Sequence, residues 1–305
     1  MTLLRCLIVF SSLACPLFAA ASADTIKVGG IDRSFTTLLP PQRPAPLVVV
    51  LHGGLQQGRD VARSTNWDRV AEEQRVAVVY PDGINRAWGD LRPAGERIRG
   101  GPPAGTDDVS FLSALIEKMT LSGIAEAHRV YLTGVSNGGA MVFTMVCKRA
   151  DLIAAAAAVI INLTDGLAGS CHPDRPVPML IMNGTADPLV AYDGGRGTSR
   201  FALPKVWSTA ATVDFWRKLN GCQLRDGATT TLPHREETHG STVTIIASLC
   251  PPRGDVTLYR INGGGHRVPS LTSAARFPLL SDRLFGSQNH DIDAAAEIWR
   301  FFKEH

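Results

Sequence analysis

The chain has 305 residues, and with 45% hydrophobic and 19% charged residues it has the make-up of a globular protein with a sizeable buried core. Its formal net charge of +3 is small and dispersed over the sequence, so no charge-driven binding of nucleic acid is expected. The densest basic group, residues 92–99, is broken by Pro93, Gly95 and Glu96 and reads as a solvated loop.

The first residues have the form of a leader. Arg5 supplies a positive start, residues 7–21 are a largely apolar stretch interrupted by Pro16, and Ala21-Ser22-Ala23 is the small-x-small pattern that signal peptidase cuts. The apolar stretch is short for a bilayer span, so no stable membrane insertion is expected. Residues 1–23 are expected to leave as a signal peptide near Ala23, and residues 24–305 to form one catalytic domain in the periplasm or the medium. Export governs the reading of the six cysteines. Cys6 and Cys15 belong to the leader, and Cys147, Cys171, Cys222 and Cys250 remain in an oxidising compartment, where thiols pair. Four cysteines allow three connectivities, of which neighbour pairing closes the shortest loops. There is no CxxC spacing and no Cys/His cluster, so neither a metal nor a cofactor is expected.

Along the chain, residues 26–28 and 34–38 read as two strands joined at Gly29-Gly30. After a proline-rich connection, residues 47–51 form a continuous apolar run, the mark of a strand buried on both faces, ending at His52-Gly53-Gly54. A helical stretch covers 67–73, a second buried strand covers 76–80, and a long Gly/Pro-rich loop covers 84–105. Thr106 or Asp107 caps a helix over 109–119, and strands are expected at 130–135, 153–161, 179–182 and 256–261, with a last helix over 292–303. Strands alternating with helices predict an α/β protein with a mostly parallel, doubly wound sheet and helices on both faces.

Gly134-Val135-Ser136-Asn137-Gly138 is a G-x-S-x-G sequence between an apolar run and a helical stretch. That strand–turn–helix order is what a nucleophile elbow of the α/β-hydrolase fold requires, and it marks Ser136 as the candidate nucleophile. A serine hydroxyl needs a base to take its proton, and in this fold the partners follow in the order Ser, Asp or Glu, His. Asp187 lies just past the 179–182 strand, closer to its end than the competitor Asp193. Among eight histidines, His266 follows a strand on the loop Gly263-Gly264-Gly265, whereas His172, His234 and His239 sit in polar stretches with no strand leading to them. His128 precedes the nucleophile strand. The oxyanion of an acyl-transfer intermediate needs backbone donors, expected from Asn137 and from Gly54, with Leu55 as the alternative to Gly54.

These residues give the chain a family likeness. It resembles the secreted poly(3-hydroxybutyrate) depolymerase and feruloyl esterase family of α/β-hydrolases, through Leu51-His52-Gly53-Gly54, Gly83-Ile84-Asn85-Arg86-Ala87-Trp88, Asp107-Asp108-Val109-Ser110-Phe111-Leu112, the stretch 134–141, Gly263-Gly264-Gly265-His266 and the tail 291–302. The resemblance implies disulfides Cys147–Cys171 and Cys222–Cys250, supports the Ser136, Asp187 and His266 assignment, and places Trp88 near the active-site mouth as a substrate-binding residue, with a loop anchor packed on the core as the alternative reading of that side chain. One departure stands out. Where the family often reads Thr-Trp-Pro-Gly after the histidine, this chain reads Arg267-Val268-Pro269-Ser270, which removes an apolar wall beside the base. No linker or separate substrate-binding domain is legible, so short or oligomeric esters are the expected substrates rather than solid polymer.

The expected function is a secreted carboxylic-ester hydrolase acting on poly- or oligo-3-hydroxyalkanoate esters. Feruloyl or acetyl esters of plant polysaccharide are the alternative within the class. A serine peptidase and a catalytically retired scaffold used for binding are the alternatives outside it.

Overall fold

The computed structural model describes residues 21–92, 100–198, 205–235, 240–272 and 278–305. Most of the leader, with Cys6 and Cys15, therefore lies outside the described residues.

The chain opens with a hairpin, β1 (Ser22–Val28) and β2 (Ile31–Leu38), turning at Gly29-Gly30. Ser22 and Ala23 pair with Thr37 and Thr36 at the far end of that hairpin, so cleavage after Ala23 would shorten β1 to residues 24–28. Next come β3 (Ala45–Leu51), α1 (Gly58–Ser64), α2 (Trp67–Gln74) and β4 (Ala77–Pro81). After the long loop, α3 (Asp108–Leu121) leads into β5 (Ala125–Val135), α4 (Asn137–Arg149) and β6 (Ala155–Val159). The short α5 (Asp165–Gly169), β7 (Met179–Gly184) and α6 (Thr209–Leu219) follow. The chain closes with β8 (Asp226–Thr231), β9 (Thr242–Ser248), β10 (Val256–Asn262), α7 (Pro278–Phe285) and α8 (Ala294–Phe302).

One ten-stranded sheet results, in the order β1-β2-β4-β3-β5-β6-β7-β10-β9-β8. The six strands from β4 to β10 in that order run parallel, and the antiparallel pairs are confined to the two edges. This is the doubly wound α/β-hydrolase architecture, and strand β3 shows why the sequence takes it. Leu47, Val49 and Leu51 enter the core on one face, with α3, α4 and α6, while Val48 and Val50 enter the core on the other, with α1, α2 and α8. Each such Val or Leu contributes roughly 1.5–3 kcal/mol by leaving water, and an alternating polar pattern would forfeit half of that here. On the second face Tyr131 of β5 stacks on Phe302 of α8 at 4.9 Å, which docks the last helix on the sheet. Asp107 caps α3 by accepting from the Ser110 N–H at 2.8 Å, resolving the choice between it and Thr106.

Several expectations need correction. The strand expected over 153–161 is only β6, because Ile160 adopts φ +50° and turns the chain out of the ladder. The helical stretch expected at 67–73 is present as α2, and only the preceding α1 is additional. His128 lies within β5 rather than ahead of it, and β8 does lead toward His234, though as an antiparallel edge strand. Arg92 is not solvated. It is 2% exposed and forms a bidentate pair with Asp90, at 2.8 and 2.6 Å. Residues 93–99 of that basic stretch lie outside the described residues.

Two disulfides, Cys147–Cys171 and Cys222–Cys250, tie α4 to the segment after α5 and the turn after α6 to the segment after β9. Cross-links of this loop size stabilise a fold by roughly 3 kcal/mol each, so their reduction should be felt in the melting temperature. Thiol titration of residues 24–305, unfolded without reductant, is expected to find none. Two or more titratable thiols would contradict this pairing. Among the described residues, no helix is long and apolar enough to cross a membrane.

Candidate active site

Four strands deliver the site at the carboxyl edge of the sheet: β3 ends at the 52–55 turn, β5 at Ser136, β7 ahead of Asp187 and β10 ahead of His266. Ser136 is held at φ +54°, ψ −116°, a conformation costing on the order of 1–3 kcal/mol for a residue with a Cβ. Close packing around it holds that strain. A Cβ on Gly134 would stand 2.4 Å from the Gly138 carbonyl oxygen, and one on Gly138 would stand 2.5 Å from those of Leu51 and His52. Glycine at these two positions lets α4 start hard against the ends of β5 and β3, which lifts the serine hydroxyl clear of the sheet.

His266 Nε2 lies 3.0 Å from Ser136 Oγ, and its Nδ1 lies 2.7 Å from Asp187 Oδ2. The other Asp187 oxygen accepts from the Leu189 and Val190 N–H groups, both at 2.8 Å. With its carboxylate engaged at both oxygens and its side chain 2% exposed, Asp187 is placed where an ionised carboxylate can hold the ring with Nδ1 donating and Nε2 turned toward the serine. The histidine loop is held from behind as well. The His266 N–H donates to the Phe285 carbonyl at 2.5 Å, and Arg267 bonds Asp282 at 2.7 Å and Gln288 at 2.6 Å. Arg267 thus spends its charge fastening α7 to the loop. Asp193, the competing acid, is exposed, and His234 pairs instead with Asp291 at 3.2 Å.

Asn137 opens α4, so its N–H is one of the helix's initial donors with no partner inside the helix. At the 52–55 turn the alternatives separate. The Leu55 N–H donates to the Arg86 carbonyl at 2.7 Å and is therefore spent, which leaves Gly54 as the candidate donor. His52, behind this turn, is fully buried and structural: its Nδ1 meets the Gly53 carbonyl at 2.7 Å and its Nε2 accepts from the Gly83 N–H at 2.9 Å. Burial pushes its pKa below the ordinary histidine value, consistent with a neutral ring.

For Trp88 the contacts favour the loop-anchor alternative. Its ring is 1% exposed, packs at 4.8 Å from the His52 ring and donates from Nε1 to the His52 carbonyl at 2.9 Å. A side chain buried in this way anchors the loop and presents no wall to a substrate. The Gly/Pro-rich loop at 84–105 and the stretch that follows His266 fall partly outside the described residues, at 93–99 and 273–277. Sequence reasoning missed the second use of Asn137, whose side chain accepts from the Trp88 N–H at 2.7 Å and donates to Asp90 at 2.9 Å. Nothing in a G-x-S-N-G string distinguishes that clamp from a solvent-facing amide. Among the described residues no group of three or more His, Cys, Asp or Glu side chains could hold a metal ion.

Known proteins resemble this chain along most of its length. It is 28% identical over 297 residues to the putative esterase NocK of Nocardia uniformis subsp. tsuyamanensis, covering 90% of this chain and 82% of that one. It is 30% identical over 228 residues to feruloyl esterase B of Piromyces equi, covering 73% of this chain but only 40% of the relative. The fold is shared with the acetyl xylan esterase from Aspergillus awamori, at a TM-score of 0.56 and 15% identity, over 81% of this chain and 95% of that one. The fold and these relatives define the class: a serine carboxylesterase of the α/β-hydrolase fold. Residues 34–192 match the family described as Esterase PHB depolymerase, and the chain belongs to that family.

Proposed function

We propose that this serine carboxylesterase works through an acyl-enzyme on Ser136, with His266 as base and Asp187 as its orienting acid. The observation that carries the reading is the unbroken contact line Ser136 Oγ, His266 Nε2, His266 Nδ1, Asp187 Oδ2, at 3.0 and 2.7 Å. Ser136 Oγ attacks the ester carbonyl as its proton passes to His266 Nε2, and the oxygen that gains the charge is met by the N–H groups of Gly54 and Asn137. Collapse of this intermediate expels the alcohol, which takes the proton from His266. A water then attacks the acyl-enzyme, giving its proton to His266, and the acid leaves as Ser136 regains a proton. The same contact line opposes the retired-scaffold reading, since a decayed site has no reason to keep both hydrogen bonds and a strained serine. Residues 24–305 would form the exported catalytic domain after cleavage near Ala23, a reading supported by the leader pattern and the two disulfides.

For substrate we favour short or oligomeric 3-hydroxyalkanoate esters, supported by the description of the family. Feruloyl or acetyl esters of plant polysaccharide are the second reading. It is supported by the names of relatives such as feruloyl esterase B and the bifunctional acetylxylan esterase/xylanase XynS20E of Neocallimastix patriciarum, which aligns over 50% of this chain and 21% of its own. Initial rates on a 3-hydroxybutyrate trimer, amorphous polyhydroxybutyrate, methyl ferulate and acetylated xylan separate the two. A hundredfold or greater preference in kcat/KM for the trimer or polymer is the expected result. The same preference for methyl ferulate or acetylated xylan would overturn it in favour of the second reading.

A further inference from the structure

The two candidate oxyanion donors come from different elements, Gly54 from the turn after β3 and Asn137 from the start of α4. Donors of this kind act only when both are aimed at one point, and a displacement of about 1 Å costs roughly a hundredfold in rate. A third segment, residues 83–92, is bonded to both. On the Gly54 side, the Arg86 carbonyl holds the Leu55 N–H at 2.7 Å, the Trp88 indole holds the His52 carbonyl at 2.9 Å, and the Gly83 N–H holds the His52 ring at 2.9 Å. On the Asn137 side, the Trp88 N–H bonds Asn137 Oδ1 at 2.7 Å, and Asp90, locked by Arg92, receives Asn137 Nδ2 at 2.9 Å.

We propose that residues 83–92 are a bracket that sets the spacing of the two oxyanion donors, with Trp88 and the Asn137 side chain as its positioning residues. The inference rests on the oxyanion assignment made above. Trp88 is the hinge point of the bracket because one residue reaches both sides: its indole ties down the turn and its backbone N–H ties down the helix start. Every side chain in the chain of contacts is nearly dry, with His52 at 0%, Trp88, Asp90 and Asn137 at 1%, and Arg92 at 2% exposure. Hydrogen bonds in such surroundings are stiffer than in water, and each lost partner leaves an unsatisfied group that pulls the backbone toward a new one. The positions flanking Gly54 are held at 52, 53 and 55, so its N–H has little freedom of its own.

The test is Trp88→Phe, which keeps an aromatic ring beside His52 and removes the Nε1 donor together with part of the indole's volume. Its kcat on a soluble ester is expected to fall roughly 10- to 100-fold, with KM within about twofold of the parent. The inhibition constant of phenylboronic acid, which forms a tetrahedral adduct with the serine, should weaken by the factor lost in kcat/KM. That of the product carboxylate should not move. Active sites counted by fluorophosphonate normalise each rate, so a partly unfolded preparation is not mistaken for a slow one. Asn137→Ala, which keeps the backbone N–H, should give the same pattern, and the double variant should lose less than the product of the two single losses. If Trp88→Phe does not fold, Asn137→Ala decides alone. Rates per active site within twofold of the parent, or equal weakening toward boronic acid and product, would overturn the bracket while leaving the serine mechanism standing. A Ser136→Ala variant that still hydrolyses esters would instead remove the reading on which the bracket rests.

Discussion

Ser136→Ala is expected to lower kcat on a soluble ester by at least about 10⁴-fold while the protein stays folded. Oγ is the only heavy atom removed, and with it goes the hydroxyl that His266 faces, at 3.0 Å. The strain at φ +54° is unchanged by the substitution, because alanine carries the same Cβ. The backbone bond from the Ser136 N–H to the Val159 carbonyl, at 2.9 Å, also survives. The lost hydrogen bond is worth about 1 kcal/mol, so the melting temperature should move by only a few degrees. Rate measurement on p-nitrophenyl butyrate, paired with thermal unfolding, checks both halves. A fold intact and activity retained would mean another nucleophile.

Asp187→Asn should cost about 10⁴-fold in kcat, and the reason lies in how the carboxylate is divided. One oxygen accepts from two backbone N–H groups, of Leu189 and Val190, and the other accepts from His266. An amide has one oxygen and one NH₂. Two backbone donors claim the oxygen, so the NH₂ must face His266 Nδ1, which then has to accept. The imidazole proton moves to Nε2 and points at Ser136, and a donor there cannot take the serine's proton. KM is expected to change little, because nothing that touches the substrate has moved. A loss smaller than about tenfold would show that the carboxylate does not set the tautomer.

Where the sequence was readable, it was readable for physical reasons. Residues 47–51 and 130–132 are apolar without interruption because both faces of their strands are covered, and glycines 134 and 138 mark the close approach that frees Ser136. The order of Ser136, Asp187 and His266 follows the order in which parallel strands reach one edge. Edge strand β8 was illegible, since Asp226-Gly227-Ala228-Thr229-Thr230-Thr231 is mostly exposed and carries no apolar alternation. Arg92 looked like one more surface charge because its partner, Asp90, announces itself only when the loop closes over both. Trp88 was placed by likeness at the substrate mouth, yet its position is decided by a carbonyl 36 residues earlier in the chain. Contacts of that kind have no period and no local pattern.

The central claim, that chemistry passes through a covalent bond to Ser136, is tested most directly by labelling the native protein with a fluorophosphonate and mapping the adduct by peptide mass spectrometry. One label per chain, on the peptide carrying Ser136 and absent after Ser136→Ala, is the predicted result. A label on another residue, or none on a preparation that hydrolyses esters, would contradict the account.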